Sequence, residues 1–191
     1  MSIDISVRPP DSFADVTRLF GPNGANSGCW CMWWRLSNNE WNTTAKQGRL
    51  DALRSIVDSG EPAGLLGYTA DGTPVGWVAV APRPAFPRLL RSKTLRLTDP
   101  DDPGIWSVNC LFIHRTRRRA GIGDPLLAAA VAYAAERGAA ALEGYPVAAD
   151  GKRRSSGEMF TGTVGLFQRA GFREYDRPVA GRRVVMRREV R

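Results

Sequence analysis

The sequence is poor in the residue types that build metal sites and disulfide frameworks. It contains a single histidine, His114, and three cysteines, an odd number that argues against a disulfide framework. Cys29 and Cys31 have a spacing that some metal sites use. With one further cysteine and one distant histidine, a complete set of ligands is poorly supported, and we predict no metal.

The sequence also lacks a long apolar run and is short of lysine. No stretch approaches the roughly 18–20 apolar residues of a membrane helix, and the first eight residues do not read as a signal peptide, so we expect a cytoplasmic protein with no membrane contact. Of the 27 basic residues, 24 are arginine. The net charge of +8 indicates an anionic partner, either a phosphate-bearing small molecule or a nucleic acid. Abundant Arg, Ala, Gly and Pro also fit a high-GC coding bias.

The length and the order of predicted elements indicate one α/β domain over residues 1–191. With 43% apolar and 24% charged residues, the chain is long enough to bury a sizeable core. Hydrophobic periodicity and turn signals predict strands and helices in alternation. The predicted strands are 3–7, 63–69, 75–81, 105–113, 139–147, 173–175 and 183–188. The predicted helices are 12–20, 43 or 44 to 58, 125–137 and 160–170, and a basic connection spans 82–104.

Residues 111–123 form the most informative segment. A β-rich apolar run ends in a basic turn, Arg118-x-x-Gly121-x-Gly123 follows, and a helix begins at once. Backbone N–H groups are unpaired at a helix N-terminus, and glycines let a diphosphate approach the main chain closely. The sequence therefore predicts an anion cradle at this turn.

This turn resembles the acyl-CoA pyrophosphate loop of the GNAT N-acyltransferase superfamily, and the run from Phe167 to Phe172 matches that superfamily's Y-x-x-x-G-F ending. The resemblance is good over 104–176 and looser over 60–81. It implies a mixed, mainly antiparallel sheet flanked by helices, with splayed fourth and fifth strands. It also implies acceptor-side helices and a Trp-rich segment in 1–60, and an acyl-CoA-binding core in 104–176.

The resemblance also implies which residues bind acetyl-CoA or another acyl-CoA as co-substrate. Backbone groups of Leu111, Phe112 and Ile113 would pair with pantetheine. Main-chain amides would hold the diphosphate, and two arginine side chains would add charge-assisted bonds; this set is Arg118, Arg119, Ala120, Gly121, Ile122 and Gly123. A merely solvated turn is the alternative.

The chain departs from the superfamily pattern in its proton-transfer groups. Ser107 and Asn109 stand where a Glu or Asp base is common, and Phe167 stands where a Tyr often protonates the departing thiolate. Asp124 places a carboxylate beside the expected diphosphate. Its repulsion of the phosphates opposes the favourable interaction between an anion and the helix N-terminus.

Replacement catalysts are available on the predicted fifth strand. Glu143 and Tyr145 alternate onto one face, where Glu143 would accept an ammonium proton through water and Tyr145 would donate to sulfur. A purely structural role for both is the competing interpretation. Cys110 is more simply a packed thiol, and His114 suits a phosphate-side position better than base catalysis.

Four tryptophans lie within a dozen residues, between Trp30 and Trp41, and predict either a lid over the acceptor pocket or plain core packing. If they line the pocket, a cationic or flat acceptor would suit them.

We therefore predict an acyl-CoA-dependent N-acyltransferase, most simply an acetyltransferase, that acts on a small-molecule amine by direct attack. One alternative uses another donor such as aminoacyl-tRNA, and a second is a non-catalytic acyl-CoA- or RNA-binding scaffold. The tRNA alternative would draw on Asp124, the missing acid and base, and the basic 83–96 segment. A homodimer is compatible with all of these.

Overall fold

The computed structural model describes residues 4–95, 97–148, 155, 157–178 and 182–190. Its strands are β1 (Ser6–Arg8), β2 (Leu65–Tyr68), β3 (Pro74–Pro82), β4 (Ile105–Ile113), β5 (Ala141–Gly144), β6 (Arg173–Asp176) and β7 (Val185–Glu189). Its α-helices are α1 (Phe13–Phe20), α2 (Asn38–Thr43), α3 (Lys46–Asp58), α4 (Pro87–Leu90), α5 (Gly123–Glu136) and α6 (Val164–Arg169).

The strands form one mixed sheet in the order β1-β2-β3-β4-β5-β7-β6. Neighbouring strands run antiparallel except for β4 and β5, which are parallel and pair from Ile105 with Ala141 to Val108 with Gly144. β4 continues to Ile113, so its second half runs past the end of this pairing. The predicted sheet, including an opening between the fourth and fifth strands, is confirmed.

Helices cover both faces of the central strands, which explains why these strands are apolar on both sides. On one face α5 packs Leu126, Leu127 and Ala130 against β3 and β4. On the other face α1 and α3 pack against Trp77 of β3. β3 is therefore buried along nearly its whole length.

Several sequence-based element bounds differ from the structure, and β1 is Ser6–Arg8 where 3–7 was predicted. The predicted helix from residue 43 or 44 to 58 is α3, which begins later, at Lys46, because Ala45 and not a threonine precedes its first turn. A helix that the sequence did not predict, α2, comes before it, and Ser37 caps it through a reciprocal capping box with Glu40. The predicted strand 139–147 shortens to β5, and the predicted helix 160–170 begins only after the cap Thr163. Residue 3 of the predicted first strand lies outside the described residues.

Within the described ranges, no helix combines the length and the apolar composition needed to cross a bilayer.

Candidate active site at the opening between β4 and β5

The site lies where β4 loses its partner. Pairing with β5 ends at Val108, and the register between β3 and β4 skips Asn109, which forms a bulge. Beyond the bulge, the amide N–H of Leu111 donates to the carbonyl of Phe160 at 2.7 Å. The strand edge that would receive pantetheine is therefore covered here by the backbone that precedes α6.

A cavity of about 260 Å³ lies along this edge of β4, and we call it the Arg118 cavity. Leu111, Phe112, Ile113, Arg118 and Gly123 all line it, so five of the nine residues predicted to bind acyl-CoA share one cavity. Its opposite wall comes from Met159, Phe160, Gly162, Thr163 and Leu166. The cavity therefore joins the strand edge to the start of α5.

The glycine turn has the backbone geometry of an anion cradle. Arg119 and Gly121 adopt left-handed conformations, with φ of 63° and 75°. In the described part of the chain, the amides of Arg119, Ala120, Gly121, Ile122 and Gly123 have no backbone acceptor. Ile122 is buried and anchors the turn to the core, while Arg119 and Gly121 are exposed. Free N–H groups therefore lie next to the positive end of the α5 dipole.

Asp124, which the sequence places beside the expected phosphates, is neutralised by a neighbouring helix. Arg169 of α6 donates to both of its carboxylate oxygens, at 2.8 and 3.3 Å. This hydrogen bonding raises the pKa of the exposed Arg169 guanidinium. The pair cancels the negative charge that would otherwise face a diphosphate.

A second cavity, of about 190 Å³, lies across Leu111 and Phe112 from the first, and we call it the Trp33 cavity. Trp33, Trp41 and Phe160 form its aromatic wall. The two cavities share Ala25, Asn26, Leu111, Phe112, Gly157 and Phe160. A group held along β4 can therefore meet a second molecule in the Trp33 cavity.

The tryptophans divide between core and cavity. Trp30 and Trp34 are buried in the core, whereas Trp33 and Trp41 line the Trp33 cavity and meet edge to face at 4.9 Å. Trp30 and Trp34 thus fit the core-packing interpretation, whereas for Trp33 and Trp41 a lid over the acceptor pocket stays a prediction.

Arginines already cover the rings of the two cavity tryptophans. The guanidinium carbon of Arg88 lies 3.9 Å from the Trp33 ring centroid, and that of Arg49 lies 3.6 Å from the Trp41 centroid. Arg88 also donates to the backbone carbonyls of Leu36 and Ser37, and partial burial lowers its pKa. These ring faces are therefore occupied by the protein's own cations.

The three cysteines meet in the Trp33 cavity, which they all line. The sulfur of Cys31 lies 3.2 Å from that of Cys110. Burial raises the pKa of Cys29 to about 11, and hydrogen bonding to Cys110, followed by burial, raises that of Cys31 well above its ordinary value. Among the described residues, no group of three or more His, Cys, Asp and Glu side chains is arranged to hold a metal ion.

Glu143 and Tyr145, the nominated acid and base, lie side by side but deep inside the protein. Glu143 is 1% exposed, and it accepts from Arg83 at 3.0 Å, from Arg187 at 2.6 Å and from the Tyr145 hydroxyl at 2.9 Å. Ser107 Oγ is 3.0 Å from the Tyr145 hydroxyl, whose pKa burial raises well above its ordinary value. Neither nominated residue lines the Arg118 or Trp33 cavity. Their catalytic roles stay predictions, and the geometry supports the structural alternative.

The other residues singled out by proton chemistry also lie away from the cavities. Ser107 and Asn109 are buried on β4, and the Asn109 side-chain amide nitrogen has no partner in the described residues. Phe167 is buried against Gly144, where an added Cβ would come within 1.9 Å of the ring. His114 Nδ1 is 2.8 Å from Thr116 Oγ1, beyond the end of β4.

Three contributors to the site are not apparent from the sequence. Arg83, Arg169 and Phe160 act through partners 60, 45 and 49 positions away in the chain. Only the role of Arg83 had a weak indication in the sequence, since an arginine directly after a buried apolar strand must find a counter-charge. Nothing in the sequence indicated the roles of Arg169 and Phe160.

Comparison with known proteins agrees with this geometry. The family model described as the acetyltransferase (GNAT) family matches residues 30–155. The chain belongs to the GNAT acetyltransferase family. No protein of curated function matches this GNAT chain significantly.

Solved structures share the fold at low sequence identity. The PaiA N-acetyltransferase of Thermoplasma acidophilum, solved with coenzyme A, is 16% identical with a TM-score of 0.57, covering 98% of this chain and 99% of its own. An N-acetyltransferase from Staphylococcus aureus is 11% identical with a TM-score of 0.57, covering 98% and 99%. A GNAT-family acetyltransferase from Brucella melitensis, solved with acetyl-CoA, is 13% identical with a TM-score of 0.52, covering 97% and 88%.

Replacing Glu143 by Gln tests the buried cluster. The change leaves two guanidiniums without their counter-charge, and we expect a loss of about 3–5 kcal/mol in the free energy of unfolding, measured by urea denaturation. Glu174→Gln is the matched control, because its ion pair with Arg177 is exposed and its loss should leave stability nearly unchanged. A Glu143→Gln protein of full stability and reduced kcat would favour the catalytic role instead.

Proposed function

We propose that this GNAT protein transfers an acetyl group from acetyl-CoA to the nitrogen of a small, flat and weakly basic amine. The observation that carries the proposal is the continuity of the free-amide turn, the Arg118 cavity and the Trp33 cavity along β4. The donor's diphosphate would bind at the turn, its pantetheine arm would lie in the Arg118 cavity, and the acceptor would bind in the Trp33 cavity.

The Arg118 turn is suited to the donor diphosphate. Its free amides supply directed hydrogen bonds, and the Arg118 side chain reaches the same cavity. The pantetheine arm would lie along Leu111 to Ile113, where the Leu111 amide must exchange its bond to Phe160 for one to the donor. Two related structures contain coenzyme A or acetyl-CoA, which supports the same donor here.

The Trp33 cavity favours an uncharged aromatic acceptor. Its described lining contains no Asp, Glu or His that could pair with an ammonium group. Arg88 and Arg49 already stack on Trp33 and Trp41, and their positive charges disfavour a cationic amine at the same two rings. The remaining rings offer stacking and edge contacts to a flat molecule. A weakly basic amine is neutral at pH 7, so it enters ready to react.

The chemistry that fits this cavity is direct attack with the solvent handling protons. The amine lone pair adds to the thioester carbonyl, the carbon–sulfur bond breaks, the nitrogen proton passes to water, and the thiolate takes a proton from water. Holding the two reactants next to each other against Leu111 and Phe112 accelerates the reaction through proximity. A neutral amine removes the need for a base in the cavity.

Part of what favoured an aminoacyl-tRNA donor is engaged in contacts within the protein. Arg83 and Arg88 of the basic connection are committed to Glu143 and Trp33, although Arg91 and Lys93 are exposed. The charge of Asp124 is paired with Arg169. The acetyl-CoA donor is therefore the better-supported proposal.

Gly121→Glu tests the donor site. A side chain and a negative charge in the turn should abolish measurable acetyl-CoA binding in calorimetry while the protein stays folded. Gly138→Glu is the matched control, since this glycine has φ of 79°, no atom within 4 Å of an added Cβ, and a position beyond the opposite end of α5. Equal affinity in both variants would disprove the donor site.

The Asp124–Arg169 pair gives a charge-balance test. Asp124→Ser leaves the Arg169 cation free and should tighten CoA binding about two- to fivefold, whereas Arg169→Ala frees the carboxylate and should weaken binding by a similar factor. The double variant should return close to the parent, because both charges leave together. Weaker binding in Asp124→Ser would instead assign the carboxylate a direct role in holding the donor.

The acceptor class is testable by pH and by one substitution. For an aromatic amine, kcat/KM should be flat between about pH 6 and 8, whereas for an aliphatic amine of similar size it should climb about tenfold per pH unit. Arg49→Gln uncovers the Trp41 face and should raise the ratio of aliphatic to aromatic turnover. A pH plateau for the aliphatic amine well below its own pKa would reveal a base within the protein.

A further inference from the structure

Two thiols from distant parts of the chain nearly touch at the boundary of the Trp33 cavity. Cys31 belongs to the Trp-rich segment, Cys110 to β4, and their sulfur atoms are 3.2 Å apart although 79 positions separate them in the chain. Cys31 is 5% exposed, whereas Cys110 is only partly buried. Both thiols line the cavity, and Cys110 is the more exposed of the two.

We propose that Cys31 and Cys110 are a modification site, where a low-molecular-weight disulfide entering the Trp33 cavity converts the two thiols into a reversible intramolecular disulfide. Cys110 is the thiol that meets the incoming molecule, and Cys31 is the resolving thiol. This inference rests on the thiol geometry and holds whether or not the protein transfers acetyl groups.

The chemistry balances as two thiol–disulfide exchanges. The Cys110 thiolate attacks one sulfur of the small disulfide, forming a mixed disulfide and releasing one small thiolate. The Cys31 thiolate then attacks the Cys110 sulfur, forming the protein disulfide and releasing the second small thiolate. The two cysteine protons end on the two released thiols, the protein loses two electrons, and the small disulfide gains them.

The environment of Cys31 allows this thiol to react only after Cys110 has formed the mixed disulfide. Hydrogen bonding to Cys110 and burial raise the pKa of Cys31, so it remains a protonated thiol and a poor nucleophile toward solvent. A mixed disulfide on Cys110 places the target sulfur within its immediate reach, where proximity compensates for the small thiolate fraction.

Cys29 is the built-in comparison. It lines the same cavity, and burial raises its pKa to about 11. The close sulfur contact across to β4 is made by Cys31, whose sulfur lies 3.2 Å from that of Cys110. The structure therefore assigns the disulfide to Cys31 and Cys110.

The test starts from fully reduced protein treated with oxidised glutathione and followed by intact mass. We expect a loss of about 2 Da, a peptide map linking Cys31 to Cys110, full reversal by dithiothreitol, and a rise in Tm of about 5–10 °C because the link joins residues 79 positions apart. A protein that keeps its mass, or one that gains only a glutathione adduct, would overturn the proposal.

Alanine variants separate the roles of the three thiols. Cys31→Ala should stop at the glutathione adduct on Cys110, and Cys110→Ala should neither close nor take up glutathione at an appreciable rate. Cys29→Ala is the matched control and should lose about 2 Da like the parent. A disulfide that includes Cys29 in the parent, or that disappears in Cys29→Ala, would contradict the assignment.

Discussion

The architecture of the site depends on a carboxylate buried between two arginines. Glu143 ties Arg83, at the end of β3, to Arg187 on β7, and Arg83 also holds the backbone carbonyls of Thr98, Asp99 and Pro100. Charges this deep are tolerated only when they are fully paired. Glu143 lies one residue before the pairing of β4 and β5 ends, so this cluster stands at the point where the sheet opens.

The sequence could predict features that depend on neighbouring residues, but not those that depend on residues far apart in the chain. The bounds of β4 and the glycine turn were predictable because β-propensity, glycine and helix-start signals all lie within a dozen residues. Glu143 and Tyr145 were placed on one face correctly, but their partner Arg83 comes from 60 positions away, so the burial of that face was not predictable. The role of Phe160 at the β4 edge depends on a backbone contact, which no side-chain pattern encodes.

The composition of the chain and the character of the Trp33 cavity agree with each other. The sequence is rich in arginine and poor in histidine and lysine, and arginine is the basic residue best suited to stacking on indole rings. Arg88 and Arg49 stiffen the aromatic wall by stacking on the rings of Trp33 and Trp41. The wall gains rigidity and positive potential together, so selectivity would arise from shape and charge rather than from a dedicated hydrogen-bonding group.

An opened sheet creates a structural hazard that Phe160 offsets. Unpaired strand edges are templates for pairing with other chains, and the split between β4 and β5 places such an edge in the middle of the sheet. The carbonyl of Phe160 takes the Leu111 amide, and the ring beside it closes the gap between Trp34 and the cavities. Phe160 therefore lines the cavities and also pairs the open edge of β4. This pairing protects the protein from edge-to-edge aggregation.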